Sequence, residues 1–138
     1  MKPEYIILHH SLTKDSKTVS WSAIRRYHVH KRGWAAIGYH FGVELVGESY
    51  EILMGRMMNK VGAHCLGANG KSIGVCLVGN FDIEEPEQSQ LIVAGNLVKT
   101  LLDVFNLDKA AVKGDSDFHP SKTCPGKLFP MGYFRELL

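Results

Sequence analysis

A short stretch near the C-terminal end, residues 114–126, brings several chemically reactive side chains close together. It holds an imidazole, two carboxylates, an ammonium group and a thiol, which belong to Asp115, Asp117, His119, Lys122 and Cys124. Glycine and proline bound the stretch, which predicts an irregular loop, and loops held by a rigid scaffold often carry function. A thiolate beside an imidazole or a carboxylate suits a borderline-soft cation such as Zn²⁺. The stretch therefore indicates a candidate metal site.

The cysteine of this loop, Cys124, allows three interpretations. Lys122 lies two residues before it, and a nearby ammonium group favours the thiolate, which is the form that binds metal or attacks a substrate. Cys124 is therefore a metal ligand, a nucleophile or an inert side chain. Cys76 lies inside an apolar run and is interpreted as a small buried residue. Cys65 is either similar to Cys76 or a partly exposed thiol.

The histidines outside the loop differ in what their surroundings predict. His9 and His10 end an apolar strand, and alternation directs them to opposite faces, so only one of them lines a given site. Periodicity does not decide which one. His64 lies in a glycine-rich loop, where it is either a structural residue or a substrate contact. His28 and His30 are two residues apart on a predicted helix, and this spacing does not let them chelate one ion.

The elements that must position these residues alternate in the order β-α-β-β-β-α-β-α. Apolar runs, alternation and helical periodicity carry the assignments, and Ser20 and Gly33 are expected to begin and end the first helix. The predicted strands cover residues 5–10, 39–45, 50–53, 72–79 and 110–112, and the predicted helices cover 20–32, 86–106 and part of 130–138. This order implies an α/β domain with a central mixed sheet flanked by helices.

Composition and length narrow the class of protein. The net charge is only +2 and Lys and Arg are scattered, which argues against nucleic-acid binding. No run approaches the ~20 apolar residues of a membrane span, and the first residues lack the apolar core of a secretion signal. Three cysteines without such a signal do not indicate a disulfide framework. We expect one domain over residues 1–138, synthesised in the cytoplasm.

Five segments, taken in chain order, resemble the motifs of the zinc-dependent N-acetylmuramoyl-L-alanine amidases of the phage-lysozyme and peptidoglycan-recognition-protein type. They are Ile7–Ser11, Gly38–Phe41, Gly62–His64, Ser72–Phe81 and Lys122–Gly126. Together the segments cover nearly the whole chain, whereas any one of them alone would be unspecific. The resemblance implies the fold of that family, with a zinc site at one end of the sheet.

The resemblance also implies roles for individual residues. It identifies His9 and Cys124 as zinc ligands, and Tyr39 and Lys122 as catalytic residues. The substrate-binding residues that it implies are His40, His64 and Thr123.

One position departs from the family pattern. The family usually has Gly-His-x-Asp-Phe where this chain has Gly114–Phe118, so Asp115 replaces the second zinc histidine. A carboxylate oxygen binds zinc at roughly 2.0–2.2 Å, and we predict that Asp115 completes the set with His9 and Cys124. Two other outcomes are His119 as a substitute ligand, and a weak metal site in a module that binds wall fragments without cutting them.

The activity implied is hydrolysis, by a zinc-activated water, of the amide between the lactyl group of N-acetylmuramic acid and L-alanine. The substrate would be peptidoglycan or a muropeptide, in the cell wall or among recycled wall fragments, and we expect a monomer. One alternative is a non-catalytic binding or inhibitory module, since some phage members of the family also restrain an RNA polymerase. A cysteine hydrolase pairing Cys124 with His119 or His9 is disfavoured, because it gives the Tyr39 motif no role.

Overall fold

The computed structural model of the protein describes residues 1–12 and 20–138. Among these residues the strands are β1 (Tyr5–His10), β2 (Phe41–Val46), β3 (Ser49–Met54), β4 (Ser72–Leu77) and β5 (Val112–Gly114), and the α-helices are α1 (Trp21–Arg26), α2 (Gln88–Phe105) and α3 (Met131–Glu136). The five strands form one mixed sheet in the order β3-β2-β4-β1-β5. The predicted element order and the mixed sheet flanked by helices are therefore confirmed.

Strands β1 and β4 form the centre of the sheet. They are parallel, with Ile7 opposite Gly74 and His9 opposite Cys76, and all residues of β4 are buried. A continuous apolar run of this kind is typical of a parallel strand covered on both faces. Strand β5 is parallel to β1 on its other side, so the carboxyl ends of β1, β4 and β5 lie at the same edge of the sheet.

Alternation along β1 decides which histidine faces which side of the sheet. Ile6 and Leu8 belong to the main hydrophobic core, which also contains the buried face of α2. Ile7 belongs to a separate cluster on the opposite face, and His9 shares that face because it is two residues further along the strand. His10 points to the α2 side, where its ring stacks on Phe81.

Helix α2 covers one face of the sheet. Its apolar stripe, which includes Leu91, Val98 and Leu101, is buried in the main core, as the helical periodicity predicts. The helix ends at Phe105, and the next residue, Asn106, adopts a left-handed conformation with φ of 54°, a frequent way to end a helix. Within the described residues, none of the helices combines the length and the apolar character needed to cross a membrane.

The first helix is shorter and less regular than predicted. Ser20 caps it as expected, because its hydroxyl accepts a hydrogen bond from the Ala23 amide at 3.1 Å. The regular helix ends at Arg26, and residues 27–31 continue as a π-helical turn. In this wider turn His28 is buried, and its Nδ1 accepts a hydrogen bond from the Gly38 amide at 3.0 Å. The helix therefore helps to fix the segment that precedes Tyr39.

The last strand begins later than predicted. Residues 109–111 form a 3₁₀ turn, because the Asp108 side chain accepts a hydrogen bond from the Ala110 amide and caps it. Strand β5 starts only at Val112 and ends at Gly114. This shift places Asp115 directly after β5, at the edge of the sheet where β1 ends.

Candidate active site

Three side chains from distant parts of the chain meet at this edge of the sheet. His9 Nδ1 lies 3.5 Å from Cys124 Sγ and 3.8 Å from Asp115 Oδ2. One ligand atom from each residue lies within 4.8 Å of the other two. The structure thus brings together the three residues that the sequence predicts as zinc ligands.

The donor atoms of this cluster fit a zinc ion. Asp115 is only 3% exposed, and its Oδ1 atom has no hydrogen-bond partner among the described residues. A buried carboxylate oxygen without a partner is destabilising unless a cation compensates it. One imidazole nitrogen, one carboxylate oxygen and one sulfur atom form a donor set that zinc accepts.

The electrostatics keep the nitrogen and sulfur donors neutral in the absence of a cation. Burial, followed by the neighbouring His64, lowers the pKa of His9 well below 6.5. Burial raises the pKa of Cys124 to about 12, although a hydrogen bond from the His10 backbone amide opposes this shift. Binding of a metal to Cys124 must therefore displace the thiol proton.

A second group of candidate ligands lies on the other side of Asp115 and contains Cys65 and His119. His119 Nε2 is 3.9 Å from Asp115 Oδ1 and 3.0 Å from the carbonyl oxygen of Leu66. A carbonyl can only accept, so this nitrogen carries a proton and has no lone pair to offer a metal. His119 does not join the group formed by His9 and Cys124, which disfavours it as the substitute ligand.

Tyr39 lies beside the predicted ligands, as expected for a catalytic residue. Its ring centroid is 5.2 Å from that of His9. Burial, with smaller effects from Cys76, Cys124 and Asp115, holds the pKa of Tyr39 well above its usual value of 10. The hydroxyl therefore keeps its proton at neutral pH and can donate a hydrogen bond.

Lys122 supplies a positive charge at the rim of the site. Its Nζ atom lies 3.4 Å from Asp115 Oδ2, and about half of its side chain is exposed. This position lets the ammonium group contact both Asp115 and a molecule that enters from solvent.

His64 lies behind His9, and its Nδ1 is 2.9 Å from His9 Nε2. Its other nitrogen faces Ser72 Oγ at 3.4 Å. Burial lowers the pKa of His64 to about 3, so this ring is neutral at physiological pH.

The prediction that His40 contacts substrate is corrected by the structure. The residue is fully buried and is not among the residues that line the cavity at the site. Its Nδ1 accepts a hydrogen bond from the Gly74 amide at 3.0 Å, and its Nε2 donates to the Lys60 carbonyl at 2.8 Å. Both nitrogens are occupied by backbone groups, so His40 has a structural role. The sequence places it next to Tyr39 but does not show these partners.

A cavity of about 600 Å³ opens over the cluster and is lined by the predicted residues His9, Tyr39, His64, Asp115, Lys122, Thr123 and Cys124. Thr123 Oγ1 donates to Asp82 Oδ2 at 2.9 Å. The cavity also has walls that the sequence reasoning missed, formed in part by Tyr27, Arg32, Trp34 and Asp82. The Arg32 guanidinium lies 5.0 Å from the Trp34 ring centroid. The sequence feature that could have indicated this wall is Trp34, which lies four residues before the Gly38–Phe41 motif.

Comparison with known proteins places the chain among cell-wall amidases. A family model described as N-acetylmuramoyl-L-alanine amidase matches residues 1–127. An endolysin of Enterobacteria phage T3 is 36% identical over 129 residues, which span 88% of this chain and 80% of the endolysin.

Solved structures agree with this placement. The N-acetylmuramoyl-L-alanine amidase LysC from Clostridium intestinale superimposes with a TM-score of 0.86 at 29% identity, covering 99% of this chain and 85% of LysC. A point mutant of Drosophila PGRP-LB in complex with tracheal cytotoxin superimposes with a TM-score of 0.78 at 30% identity, covering 94% of this chain and 79% of that protein. The chain therefore belongs to the N-acetylmuramoyl-L-alanine amidase family.

Proposed function

We propose that the chain is a zinc-dependent peptidoglycan amidase that hydrolyses the bond between the lactyl group of N-acetylmuramic acid and L-alanine. The observation that carries this proposal is the convergence of His9, Asp115 and Cys124, whose ligand atoms, one from each residue, lie within 4.8 Å of one another. The three donors line a cavity that also exposes Tyr39 and Lys122. Its substrate is peptidoglycan in the wall, or a muropeptide released from it.

The ligands have distinct tasks in this proposal. His9 offers a neutral nitrogen, while Asp115 and Cys124 supply the negative charge that balances a divalent cation. A zinc ion held by these three residues would supply Lewis-acid chemistry, which activates a water molecule near neutral pH and polarises a carbonyl group.

Tyr39 and Lys122 stabilise the charge that develops on the carbonyl oxygen of the scissile amide. The Tyr39 hydroxyl keeps its proton because burial raises its pKa, and it donates a hydrogen bond to that oxygen. The Lys122 ammonium group adds a positive charge from the rim. Removing one such donor typically costs about 3–4 kcal/mol of transition-state stabilisation.

The cavity can hold the substrate around the reacting bond. Its volume of about 600 Å³ is within the ~300–1,000 Å³ of ordinary ligand pockets. Thr123 and the Arg32–Trp34 pair lie on its walls, and we propose that they contact the glycan or the stem peptide.

A recognition module without catalysis is the second candidate. The observation in its favour is the structural similarity to a PGRP-LB mutant that binds tracheal cytotoxin. In that case the cavity would bind wall fragments, and the unusual Asp115 would leave the metal site too weak for catalysis.

The cysteine-hydrolase alternative has less support. A thiol nucleophile needs a depressed pKa, whereas burial raises the pKa of Cys124 to about 12. His9 is close enough to Cys124 to act as a base, but burial favours the neutral form of both side chains.

The test is digestion of purified peptidoglycan by the purified protein, followed by detection of stem peptides with a free L-alanine amino terminus. We expect release that stops with a zinc chelator and returns when zinc is added back. Activity that survives the chelator but not a thiol reagent would favour the cysteine hydrolase. Fragment binding without release would favour the recognition module.

A further inference from the structure

We propose that His64 and Ser72 are positioning residues that fix the protonation pattern of His9, through a directed hydrogen-bond chain that ends at the Ala68 carbonyl. This inference rests on the proposed function, because it concerns the lone pair that His9 offers to zinc. It replaces the role of His64 as a substrate contact. The donor-to-acceptor direction of this hydrogen-bond chain follows from its last acceptor, the Ala68 carbonyl.

The chain is anchored by the hydroxyl group of Ser72. Ser72 Oγ lies 2.7 Å from the carbonyl oxygen of Ala68, and a carbonyl oxygen can only accept a hydrogen bond. The single hydroxyl proton of Ser72 is therefore directed at Ala68. At the contact of 3.4 Å between Ser72 Oγ and His64 Nε2, the oxygen must accept and the His64 nitrogen must donate.

The protonation of His64 then determines that of His9. A neutral imidazole carries one proton, so His64 with its proton on Nε2 has a lone pair on Nδ1. This Nδ1 lies 2.9 Å from His9 Nε2, and His9 must therefore donate from Nε2. The Nδ1 lone pair of His9 is left facing Asp115 and Cys124, at 3.8 Å and 3.5 Å.

The sheet holds the His64 ring in the orientation that the chain requires. A Cβ atom built on Gly74 would lie 2.6 Å from the ring, and one built on Gly62 would also lie 2.6 Å from it. The two glycines therefore leave room for the His64 ring at this position. The His64 backbone amide is fixed as well, since it donates to Asn69 Oδ1 at 2.8 Å. Ser72 and Gly74 lie two residues apart on β4 and share the face that bears His9.

This arrangement matters because the other tautomer of His9 would direct a proton, rather than a lone pair, at the cation. Partners of this kind behind a metal ligand typically change metal affinity by about 10–100-fold. In most such sites the partner is a carboxylate or a backbone carbonyl, whereas here it is a second imidazole with its own fixed donor direction.

The first test compares zinc affinity, measured by competition with a chelating dye, among three variants of the full chain. We expect His64→Ala to bind zinc about 10–100-fold more weakly than the parent protein. His64→Asn is the conservative control, because its Oδ1 atom occupies the region of the lost Nδ1 and can accept from His9. We expect His64→Asn to recover most of the affinity, and Ser72→Ala to lose part of it.

The second test reads the protonation pattern directly from long-range ¹H–¹⁵N spectra of the parent protein without metal. We expect protons on Nε2 of both His9 and His64, and retention of the His9 Nε2 proton after zinc is added. A proton on His9 Nδ1 would overturn the proposal, as would unchanged zinc affinity in His64→Ala. If His64→Ala does not fold, the zinc affinity of Ser72→Ala and the ¹H–¹⁵N spectrum of the parent protein test the proposal.

The two tests separate this inference from the proposed function, because neither of them measures amide cleavage. A protein with the expected spectrum and zinc affinities but without amidase activity would support the hydrogen-bond chain and contradict only the proposed enzymatic function. A parent protein that binds no zinc would overturn the metal site, and its spectrum would still decide the direction of the chain.

Discussion

At the scale of single residues, the site shows how strand alternation separates neighbours of the same type. His9 and His10 are adjacent in sequence, yet His9 joins Asp115 and Cys124 while His10 stacks on Phe81. Periodicity alone shows that the two rings must diverge. Which of them faces the site depends on the side that α2 covers, and the sequence of β1 does not contain that information.

Asp115 is the predicted metal ligand that departs from the family pattern. Its place in the family motif, where a zinc histidine is usual, predicted a ligand, and the structure places its Oδ2 atom 3.8 Å from His9 Nδ1. The loop comes close enough for the shorter side chain because β5 ends at Gly114. The sequence did not predict this closeness, because it depends on the exact end of β5.

Replacing Tyr39 tests the donor role of its hydroxyl group. We expect Tyr39→Phe to lower kcat by about 10²–10³-fold, which is typical for loss of one donor to a developing oxyanion. Zinc content should not change, since the hydroxyl is not a ligand. The measurement is the rate of stem-peptide release, with Tyr133→Phe as a control on the exposed surface of α3. Full activity in Tyr39→Phe would show that the hydroxyl is not needed.

At the scale of elements, Trp21 packs α1 against strands β2 and β3. Trp21 is 8% exposed, and its Nε1 donates to the Met54 carbonyl at 3.0 Å. Its ring lies directly over Gly42, where an added Cβ atom would come within 2.4 Å of it. The glycine that receives the Trp21 ring becomes evident only from the sheet.

The close contact between the Trp21 ring and Gly42 predicts an effect on stability. We expect Gly42→Ala to lower the free energy of unfolding by about 1–3 kcal/mol, because the methyl group overpacks the contact with Trp21. Urea unfolding followed by far-UV circular dichroism measures it. Gly132→Ala is the matched control, because nothing lies within 4 Å of the added Cβ atom. That change should be neutral or stabilising by about 0.5–1 kcal/mol, since Gly132 is in a helix. Equal stability of the two variants would contradict the packing argument.

Irregular elements were the part of the fold that the sequence predicted least well. The π-helical turn at 27–31 and the 3₁₀ turn at 109–111 depend on single contacts, such as the one between His28 and Gly38. Strands β2 and β3 were predicted, at residues 39–45 and 50–53, because their alternation is a local signal. Element order follows from local patterns, whereas these turns follow from tertiary contacts.

At the scale of the whole molecule, several buried histidines serve as neutral hydrogen-bonding groups in the fold. His28 and His40 each accept a hydrogen bond from a backbone amide through Nδ1. Burial lowers the pKa of His28 below 6.5 and has the same effect on His40. In the unfolded chain both rings titrate near their ordinary pKa of about 6.5.

These shifts predict that acid destabilises the protein. The stabilisation is fully present above about pH 6.5 and is lost as the pH falls, because the unfolded chain then binds more protons than the folded one. Each such histidine contributes a slope of up to about 1.4 kcal/mol per pH unit. The measurement is urea unfolding of chelator-treated protein between about pH 7.5 and 5.

The control for acid destabilisation is His40→Asn, whose Oδ1 atom can accept the Gly74 hydrogen bond without titrating. We expect the pH dependence of its unfolding free energy to be less steep. A free energy of unfolding that stays constant or rises towards pH 5 in the parent protein would contradict the prediction.

Much of the molecule was readable from its sequence because its motifs occur in the order of a known family. The order of strands in the sheet was not readable, since β4 inserts between β1 and β2 through pairings far apart in the chain. That arrangement also helps to assemble the site, because it places Cys76 of β4 opposite His9 and puts Ser72 and Gly74 on the face of the sheet that bears His9. The burial of His40, which corrects its predicted role, follows from the same pairings.

The most direct test of the central claim is the zinc content of the purified protein and of its Asp115→Ala variant, measured by elemental analysis. If His9, Asp115 and Cys124 form the metal site, the parent protein should carry one zinc ion per chain and the variant almost none. A parent protein without zinc, or a variant that retains a full zinc ion, would contradict the assignment of Asp115 as the third ligand.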